Sequence, residues 1–377
     1  MKNILITGGA GFIGSNLALK LVSKNYNVTV LDNLSPQIHT GDPDSSTLYN
    51  SIKNKVRFIK GDVTNKQDWL TALKDQQVVV HLAAETGTGQ SMYEIKRYTE
   101  VNIQGTSILL DLLANTKHSV ERVVIASSRS IYGEGKYYSE EVGVVYPSHR
   151  SGGDMDNGKF DVTYPGSIKP LSLLPTDENS KIHPSSVYGI TKQVQEQLVM
   201  TVCPTIGVIP VAFRYQNVYG PGQSLSNPYT GILSIFSTLI RTNQSINIFE
   251  DGNESRDFVF IDDVVKATIM GIEKKEADNQ VFNVGYGYPT SVITVAKTLI
   301  KQYGIDVPLK VSGNYRLGDI RHNYADLTKI KNMLNFEPEF EFEKGISLFC
   351  DWVKKQEIVK SKFGESIEEL KERGLIK

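Results

Sequence analysis

The sequence predicts an α/β protein built on a doubly wound parallel sheet, with a smaller domain interleaved in its C-terminal half. Short apolar runs rich in Val and Ile alternate with longer amphipathic stretches, which is the pattern of βαβ units. A glycine-rich turn follows the first apolar run. The length of 377 residues corresponds to about two and a half average domains, so there is room for a large sheet domain and a smaller second one.

Six strands and four long helices make up the first 214 residues or so. The strands are apolar runs at Asn3 to Thr7, Asn27 to Asp32, Val56 to Lys60, Val78 to Leu82, Arg122 to Ala126 and Val208 to Arg214. The helices lie between them, at Phe12 to Ser23, Lys66 to Lys74, Met92 to Thr116 and Ser185 to Met200. Helical crossovers between successive strands make a doubly wound sheet the simplest topology.

The alternation is interrupted twice, which suggests the domain boundaries. Residues 134–184 are rich in Gly, Ser, Pro and Tyr and are too long for an ordinary connection. After Arg214 the strict alternation of strands and helices stops. We expect a first domain at 1–213, containing that insertion and completed by 258–286, and a second domain at 214–257 and 287–350. Residues 351–377 have Ile and Leu at helical spacing among many Lys and Glu, so we expect a solvated helical tail.

Charge and cysteine content exclude several classes of function. The chain has 41 Lys and Arg against 42 Asp and Glu, so we expect neither nucleic acid nor an anionic membrane as a partner. Cys203 and Cys350 are too few for a disulfide framework or a cysteine-rich zinc site. Since neither an N-terminal leader nor a run of 18 apolar residues is evident, we expect a cytoplasmic protein.

The glycine-rich turn predicts a Rossmann-type dinucleotide site. Its glycines are Gly8, Gly11 and Gly14, with Phe12 and Ile13 between them. This spacing allows a tight turn, close approach of the backbone to a pyrophosphate and close packing of helix on strand. A glycine turn without a ligand is the alternative, but the position between the first strand and a helix favours the dinucleotide.

An acid at the end of the second strand indicates which dinucleotide is bound. A carboxylate at Asp32 could accept hydrogen bonds from the ribose hydroxyls of adenosine and would repel a 2′-phosphate. The cofactor is therefore predicted to be NAD rather than NADP, unless Asp32 is only a turn or capping residue. Asp62 and Val63, after the third strand, could meet the adenine.

A phenol and an ammonium group form the candidate catalytic pair. Tyr188 and Lys192 are four residues apart near the start of a predicted helix, so they share one face. A cation so placed, together with the positive charge of nicotinamide, favours the phenolate, so Tyr188 could act as a base near neutral pH. Ser127 and Ser128 end the fifth predicted strand and would bring a hydroxyl to the sheet edge where ligands bind.

Taken together, these motifs resemble the extended short-chain dehydrogenase/reductase family that acts on nucleotide sugars. The resemblance rests on TGGAGFIG at 7–14, Asp32, HLAA at 81–84, Ser127-Ser128 followed by Tyr132-Gly133, Tyr188 with Lys192, NVYGPG at 217–222, RDFV at 256–259 and Gly318-Asp319. It implies Tyr188 as the base, Lys192 as the ribose ligand and Ser128 as the hydrogen-bond donor to the reacting oxygen. It further implies cofactor contacts at Asn33, Leu82, Ala83, Ala84 and Asn102, and substrate contacts at Thr88, Arg129, Asn217, Arg256 and Arg316, the two last on the diphosphate.

The residues beside Ser128 help to choose the reaction. The family's 4,6-dehydratases have an acidic pair there, whereas this chain has Arg129 and Ser130, so a general acid for water loss is not evident. Asp32 argues against an NADPH-consuming reductase, and neither cysteine lies near the catalytic motifs for net dehydrogenation to an acid. We therefore expect a 4-epimerase that keeps NAD bound and passes through a transient 4-keto sugar.

The substrate expectation rests on a finer resemblance. GPGQSLSNPYTG at 220–231, FEDG at 249–252, YGEG at 132–135 and the long insertion are similar to enzymes that epimerise C4 of dTDP-L-rhamnose. UDP-hexose and UDP-hexuronate 4-epimerases, a 4-keto reductase or dehydrogenase, and an NAD-sensing regulator are the alternatives. Such rhamnose enzymes often have two cysteines in the insertion, which this chain lacks. We expect no metal site, an insertion that covers the sugar, and a homodimer formed through the helices at 92–116 and near 185.

Overall fold

A computed structural model describes residues 2–39, 41–225, 227, 229, 231–358 and 363–377. The strands, in chain order, are β1 Asn3–Thr7, β2 Asn27–Asp32, β3 Arg57–Lys60, β4 Val78–His81, β5 Arg122–Ser128, β6 Tyr137–Ser139, β7 Gly143–Val145, β8 Ser172–Leu173, β9 Ile209–Tyr215, β10 Asn217–Tyr219, β11 Ile246–Ile248, β12 Ser255–Phe260, β13 Gln280–Val284, β14 Pro289–Ser291, β15 Leu309–Val311 and β16 His322–Asn323.

The helices are α1 Phe12–Ser23, α2 Pro36–His39, α3 Thr47–Ile52, α4 Lys66–Leu73, α5 Thr88–Ser91, α6 Ile95–Tyr98, α7 Gly105–Asn115, α8 Gly152–Asp156, α9 Val187–Thr205, α10 Ile232–Arg241, α11 Ile261–Glu273, α12 Val292–Tyr303, α13 Thr328–Leu334, α14 Phe342–Lys354 and α15 Phe363–Glu372. A π-helical segment, Thr99–Gln104, joins α6 to α7. In the described part of the chain, no helix combines the length and apolar character needed to cross a bilayer.

The central sheet confirms the predicted doubly wound α/β fold. Seven parallel strands lie in the order β13-β9-β5-β4-β1-β2-β3. All seven residues of β5 and all four of β4 are buried, because helices cover both faces of the sheet. The strand order reverses between β1 and β4, and in such sheets ligands bind at the carboxyl ends of the strands beside that reversal.

A second sheet lies in the C-terminal half. β12 is its centre and pairs with β10 and β16 in parallel and with β14 antiparallel. We predicted that residues 258–286 complete the first domain; β13 does join the large sheet, but β12 belongs to the small one. β12 remains in the small sheet up to Phe260, and α11, which begins at Ile261, packs on α1. With that change we keep the division into two domains as a proposal.

The insertion at 134–184 folds on its own small sheet, β7-β6-β8, and is fastened to the second domain by buried charges. The guanidinium of Arg150 lies 3.3 Å from a Glu134 oxygen and 2.8 Å from a Glu250 oxygen, and its side chain is 3% exposed. Arg321 also donates to Glu250, at 3.0 Å. Because breaking a buried ion pair is costly, this cluster fixes the position of the insertion.

Candidate active site

One large cavity, of about 600 Å³, opens at the carboxyl ends of the central strands. It runs from the glycine turn past the end of β5 to the second domain. Nearly all the predicted site residues line it, namely Gly8, Gly11, Phe12, Ile13, Gly14, Asp32, Asn33, Val63, Leu82, Ala83, Ala84, Thr88, Ser128, Arg129, Tyr188, Lys192, Asn217, Arg256 and Arg316. Asp62 and Asn102 are the two predicted residues that do not.

The glycine turn packs closely against the backbone that follows β4. Gly8 has a φ of +66°, and a Cβ there would lie 2.8 Å from the backbone nitrogen of Ala83. A Cβ on Gly14 would lie 2.3 Å from the carbonyl oxygen of Gly8. Gly11 is the N-cap of α1 and no side chain caps that helix. The first N–H groups of α1 are thus available to an anion in the cavity.

The end of β2 places a buried carboxylate beside this turn. Asp32 accepts hydrogen bonds from the backbone N–H groups of Ala10, at 2.9 Å, and Leu34, at 2.8 Å. Burial raises its pKa above the usual value, against the effect of these N–H groups and of His39. His39, which no sequence motif marks, also lines the cavity, with Nε2 4.0 Å from Asp32 Oδ1.

Ser128 and Tyr188 meet where β5 and α9 face the cavity. Ser128 Oγ accepts hydrogen bonds from the backbone N–H and the hydroxyl of Ser130, at 3.2 and 3.0 Å. Burial raises the pKa of Tyr188 above 10, while its hydrogen bond with Ser128 and the charge of Arg129 act to lower it. Within the protein alone the phenol form of Tyr188 is therefore favoured; the predicted phenolate also requires the positive charge of nicotinamide.

Lys192 is held by a buried chain of hydrogen bonds that the sequence did not reveal. Its Nζ donates to Gln195 Oε1 at 2.8 Å, and Gln195 Nε2 donates to Thr106 Oγ1 at 2.8 Å. His81 bridges Thr106, at 3.0 Å, to Thr7, at 2.7 Å. Burial lowers the pKa of Lys192 to about 7, and burial together with Lys192 lowers that of His81 to about 3. This chain of hydrogen bonds thus links α9 to Thr7, the residue before the glycine turn.

The two arginines predicted to bind the diphosphate differ in how many of their N–H groups are already bound within the protein. Arg256 gives four of its five N–H groups to the backbone oxygens of Ser255, Ile320 and Arg321 and to Asp319, at 2.7 to 3.0 Å. Arg316 Nε is buried without a hydrogen-bond partner, and its guanidinium lies 5.5 Å from the centre of the Phe249 ring. Arg316 is therefore the guanidinium more available to an anion, and Arg256 is largely committed to the protein.

Comparison with known proteins agrees with this geometry. The family model described as the NAD dependent epimerase/dehydratase family matches residues 4–150 and 162–285. The chain belongs to this NAD-dependent epimerase/dehydratase family. The predicted family and enzyme class are thereby confirmed, and the family's NAD dependence agrees with the predicted cofactor.

Relatives of this epimerase/dehydratase span nearly its whole length. It is 38% identical to the dTDP-L-rhamnose 4-epimerase of Burkholderia thailandensis over 355 residues, covering 93% of this chain and 95% of the relative. A Thermotoga maritima UDP-glucose 4-epimerase, solved with UDP-glucose, superposes with a TM-score of 0.74 at 30% identity, over 94% and 99% of the two chains. A Bacillus cereus UDP-glucuronic acid 4-epimerase, solved with UDP-glucuronic acid and NAD, gives 0.75 at 25%, over 94% and 99%.

The residues of this epimerase/dehydratase fit NAD along one half of the cavity. The uncapped N-terminus of α1 suits a pyrophosphate, and Asp32 suits a ribose. Near Asp32 the polar lining side chains are Asn33, Ser35, Gln37 and His39, so among described residues this part of the lining has no Lys or Arg for a 2′-phosphate. Several further lining side chains have buried polar atoms without a partner, namely Ser127 Oγ, both amide atoms of Gln216, Gln223 Oε1, Glu254 Oε2 and Arg316 Nε.

Asn102 and Asp62 occupy supporting positions instead of lining the cavity. Asn102, in the π-helical segment, accepts from the Glu85 N–H at 2.8 Å and donates to the Glu85 carbonyl and to Thr191 Oγ1. It thereby ties the loop after β4 to α9. Asp62 accepts from Asn33 Nδ2 at 2.9 Å and from Thr64. Both residues position cavity-lining neighbours, so direct contact with the cofactor is not what their geometry favours.

The insertion does not contribute to the large cavity. None of the described residues that line this cavity comes from 134–184, so the lining does not support the predicted place of the insertion over the sugar. Arg150 and its partners hold it on the second domain instead. The C-terminal tail comes closer: Leu370 and Leu375 line a small cavity together with Thr88, Ser186 and Arg316. Asn217, by contrast, is as predicted in the large cavity, where Arg129 Nε donates to its Oδ1 at 3.0 Å.

Proposed function

We propose that the protein is a nucleotide-sugar 4-epimerase that inverts C4 through a transient 4-keto sugar, with dTDP-L-rhamnose as the first candidate substrate. The observation that carries the proposal is the cavity itself. A serine, tyrosine and lysine face its middle, with a dinucleotide cradle at one end and, on the other side, the Arg316 guanidinium, whose buried Nε has no hydrogen-bond partner. A substrate with a diphosphate between its sugar and its base matches that order of groups.

Binding would begin at the second domain. Arg316 would hold the diphosphate through charge-assisted hydrogen bonds, since its Nε has no partner inside the protein. Arg256 would act mainly through Asp319, which it binds at 2.7 Å, keeping the loop that carries Arg316 in place. Asn217, itself held by Arg129, would contribute an amide to the sugar side of the diphosphate.

The chemistry would be divided between Ser128 and Tyr188. NAD bound along the cavity would supply a hydride acceptor that can give the hydride back, and its positive charge would favour the Tyr188 phenolate. Ser128 would donate a hydrogen bond to the C4 oxygen. Tyr188 would take the proton of the C4 hydroxyl and later return it, so that one phenol serves as base and then as acid. Because the anchor is the diphosphate, the sugar can turn between these two events.

Dehydration and net reduction fit the site less well. The residues directly after Ser128 are Arg129 and Ser130, so a carboxylic acid is not in the place where water loss would need one. Glu85, in the loop after β4, is a carboxylate of the cavity lining, but it is already paired with Arg97 at 2.8 Å. An NADPH-dependent reductase would need a pocket for a 2′-phosphate, which the side chains around Asp32 do not offer.

The choice of sugar rests on similarity. The Burkholderia thailandensis relative supports dTDP-L-rhamnose, and the solved Thermotoga maritima and Bacillus cereus enzymes support UDP-glucose or UDP-glucuronate as alternatives. We would incubate the protein with a panel of dTDP- and UDP-sugars and follow C4 inversion by nuclear magnetic resonance. Inversion without a stoichiometric change in reduced-nicotinamide absorbance is expected. A stoichiometric change would instead favour the reductase or dehydrogenase alternative.

We also propose a homodimer in the cytoplasm. Ile95 of α6 and Ile190 of α9 are 51% and 48% exposed, which leaves apolar side chains on the two helical regions predicted to form the dimer. Both cysteines are free and buried, which suits a reducing compartment. Sedimentation of the purified protein would test the dimer, and a monomer at micromolar concentration would contradict it.

A further inference from the structure

Two glutamines from separate segments of the first domain hold each other by their side chains. Gln37 lies in α2, in the segment that follows β2, and Gln90 lies in α5, in the segment that follows β4. Gln37 Nε2 donates to Gln90 Oε1 at 3.1 Å, and Gln90 Nε2 donates to Gln37 Oε1 at 3.3 Å. The two amides thus form a reciprocal pair, in which each side chain is both donor and acceptor.

The order of the strands shows what this pair spans. β1 lies between β2 and β4 in the central sheet and pairs with both of them. The glycine turn that follows β1 therefore lies between the two segments that carry the glutamines. Both segments line the large cavity, the first within 33–39 and the second at 82–88. The amide pair consequently bridges the cavity across the glycine turn, where the pyrophosphate of a dinucleotide would bind.

The two ends of this bridge are held to different degrees. Gln90 is 4% exposed, its Nε2 also donates to Glu94 at 3.2 Å, and its Oε1 lies 3.3 Å from the hydroxyl of Tyr98. Gln37 is half-buried on a helix of four residues, and its Oε1 receives a longer hydrogen bond from Arg97, at 3.4 Å. The bridge can therefore open by rotation of the Gln37 side chain, while Gln90 stays in place.

We propose that Gln37 and Gln90 form a clasp that must open before NAD can enter or leave its site. An epimerase has to return the hydride to the sugar from which it came, so a reduced cofactor that left too early would strand a 4-keto sugar. A clasp that slows exchange of the cofactor prevents this loss. That need rests on the proposed function, whereas the clasp itself requires only the NAD dependence of the family.

A clasp has a kinetic signature that a direct ligand contact lacks. The amide pair contains no atom of the cofactor, so it costs the same to break whether the site is filled or empty. Entry and exit both pass through the open form. Weakening the pair therefore raises both rate constants by the same factor and leaves Kd unchanged. Loss of a group that binds NAD directly would instead speed release and leave the rate of entry as it was.

The test is stopped-flow fluorescence of the full-length protein with NADH as the probe. Release is measured by chasing the NADH-loaded protein with excess NAD, and entry by mixing NADH with protein freed of nucleotide. We expect Gln37→Leu to release and to bind NADH about tenfold faster than the wild type, because two neutral hydrogen bonds are lost, with Kd changed by less than about twofold. Gln37→Asn keeps the amide but is one methylene shorter, so it should behave as Gln37→Leu. Gln67→Leu, at an exposed glutamine of α4, is the control and should match the wild type.

Three results would overturn the proposal. The first is release of NADH from Gln37→Leu at the wild-type rate, and the second is faster release with unchanged entry, which would make Gln37 a direct ligand. The third is a Gln37→Leu, Gln90→Leu double variant in which the two single effects multiply, because glutamines that act only as a pair cannot be independent. The first two results need no change at the buried Gln90. C4 inversion is not measured in these experiments, so the proposed function and the clasp stand or fall separately.

Discussion

At Tyr188 two opposing effects set the state of the phenol. Enclosure raises its pKa, whereas Ser128 and Arg129 act to lower it. Lys192, which the sequence suggested as an activating charge together with nicotinamide, is itself so buried that its pKa falls to about 7, and its Nζ is bound to Gln195. The protein thus holds the phenol protonated, and the base should form only when further positive charge enters the cavity.

Replacement of Tyr188 by Phe tests this assignment most directly. We expect kcat for C4 inversion to fall by at least about a hundredfold, because no other lining group is placed to move the proton. The NAD released on denaturation should be unchanged, since the glycine turn and Asp32 are untouched. Tyr138→Phe, at a side chain that is 44% exposed in the insertion, is the matched control. A Tyr188→Phe protein with wild-type turnover would refute the mechanism.

The buried Lys192 makes a prediction about stability. Its pKa is about 7 in the folded protein and about 10.4 when unfolded, so the unfolded chain binds more protons between those values. The free energy of unfolding should then rise with pH from about 7 towards 10, the full penalty being present below 7. We expect Lys192→Met to melt about 2 to 4 °C above the wild type at pH 6 to 7.

The pH series supplies the control for that prediction. The gap in Tm between Lys192→Met and the wild type should narrow as the pH approaches 9, because the wild type gains stability there and the variant does not. Exposed Lys74→Met should show no such trend. A Lys192→Met protein that melts below the wild type at pH 6 would mean that the buried ammonium group stabilises the fold.

Single residues were predictable to the extent that a motif marks them. Ser128, Tyr188 and Lys192 stand in recognisable local patterns, and the structure brings all three to one cavity. Glu254 and Gln195 have no such pattern, because their surroundings come from other parts of the chain. Arg256 shows that a motif can also mislead. Its motif suggested a side chain free to bind the diphosphate, but residues 319–321 accept most of its N–H groups.

At the scale of elements, periodicity was a good guide to the large sheet. β1, β2 and α1 have the predicted bounds, and the predicted helix at Ser185 runs from Val187 to Thr205. The predicted helix from Met92 to Thr116 is divided into α6, the π-helical segment and α7. That division was not predictable, because it serves the distant contact of Asn102 with Thr191, and the short strands of the insertion carry too few residues for a clear period.

The helix α9 presents Tyr188, Lys192 and Gln195 on one face, and this arrangement can be tested at Gln195. Gln195→Leu removes the acceptor of Lys192 and the donor to Thr106, both buried. We expect kcat to fall about tenfold and unfolding to become easier by about 1 to 3 kcal/mol, because polar groups lose their partners inside the protein. Gln197→Leu, two residues further on the exposed side, is the control. Equal activity of the two variants would show that the chain of hydrogen bonds does not position Lys192.

At the scale of the whole molecule, two sequence expectations, for the insertion and for the tail, have the same limit. The insertion was expected over the sugar and the tail in solvent, but both positions depend on contacts between distant segments. Arg150 pairs with Glu134 within the insertion and with Glu250 of the second domain. In the tail, Leu370 and Ile376 are 3% and 4% exposed. Local spacing identifies an amphipathic helix but does not say which surface its apolar face covers.

The docked tail leads to a prediction about substrate binding. The backbone of Lys377 exchanges hydrogen bonds with Tyr315, at 2.9 and 3.1 Å, and Leu375 accepts from Leu317 at 3.0 Å, so the chain end flanks Arg316 on both sides. Leu370→Asp puts a charge into the buried contact beside Gly89 and should release the tail. We expect KM for the nucleotide sugar to rise about tenfold while kcat and bound NAD stay near wild type, because only the support of Arg316 is lost. Leu348→Asp, at a leucine that is 42% exposed in α14, should change none of these values. If Leu370→Asp lowers kcat and NAD content together and leaves KM unchanged, the tail stabilises the fold generally and does not support the diphosphate site.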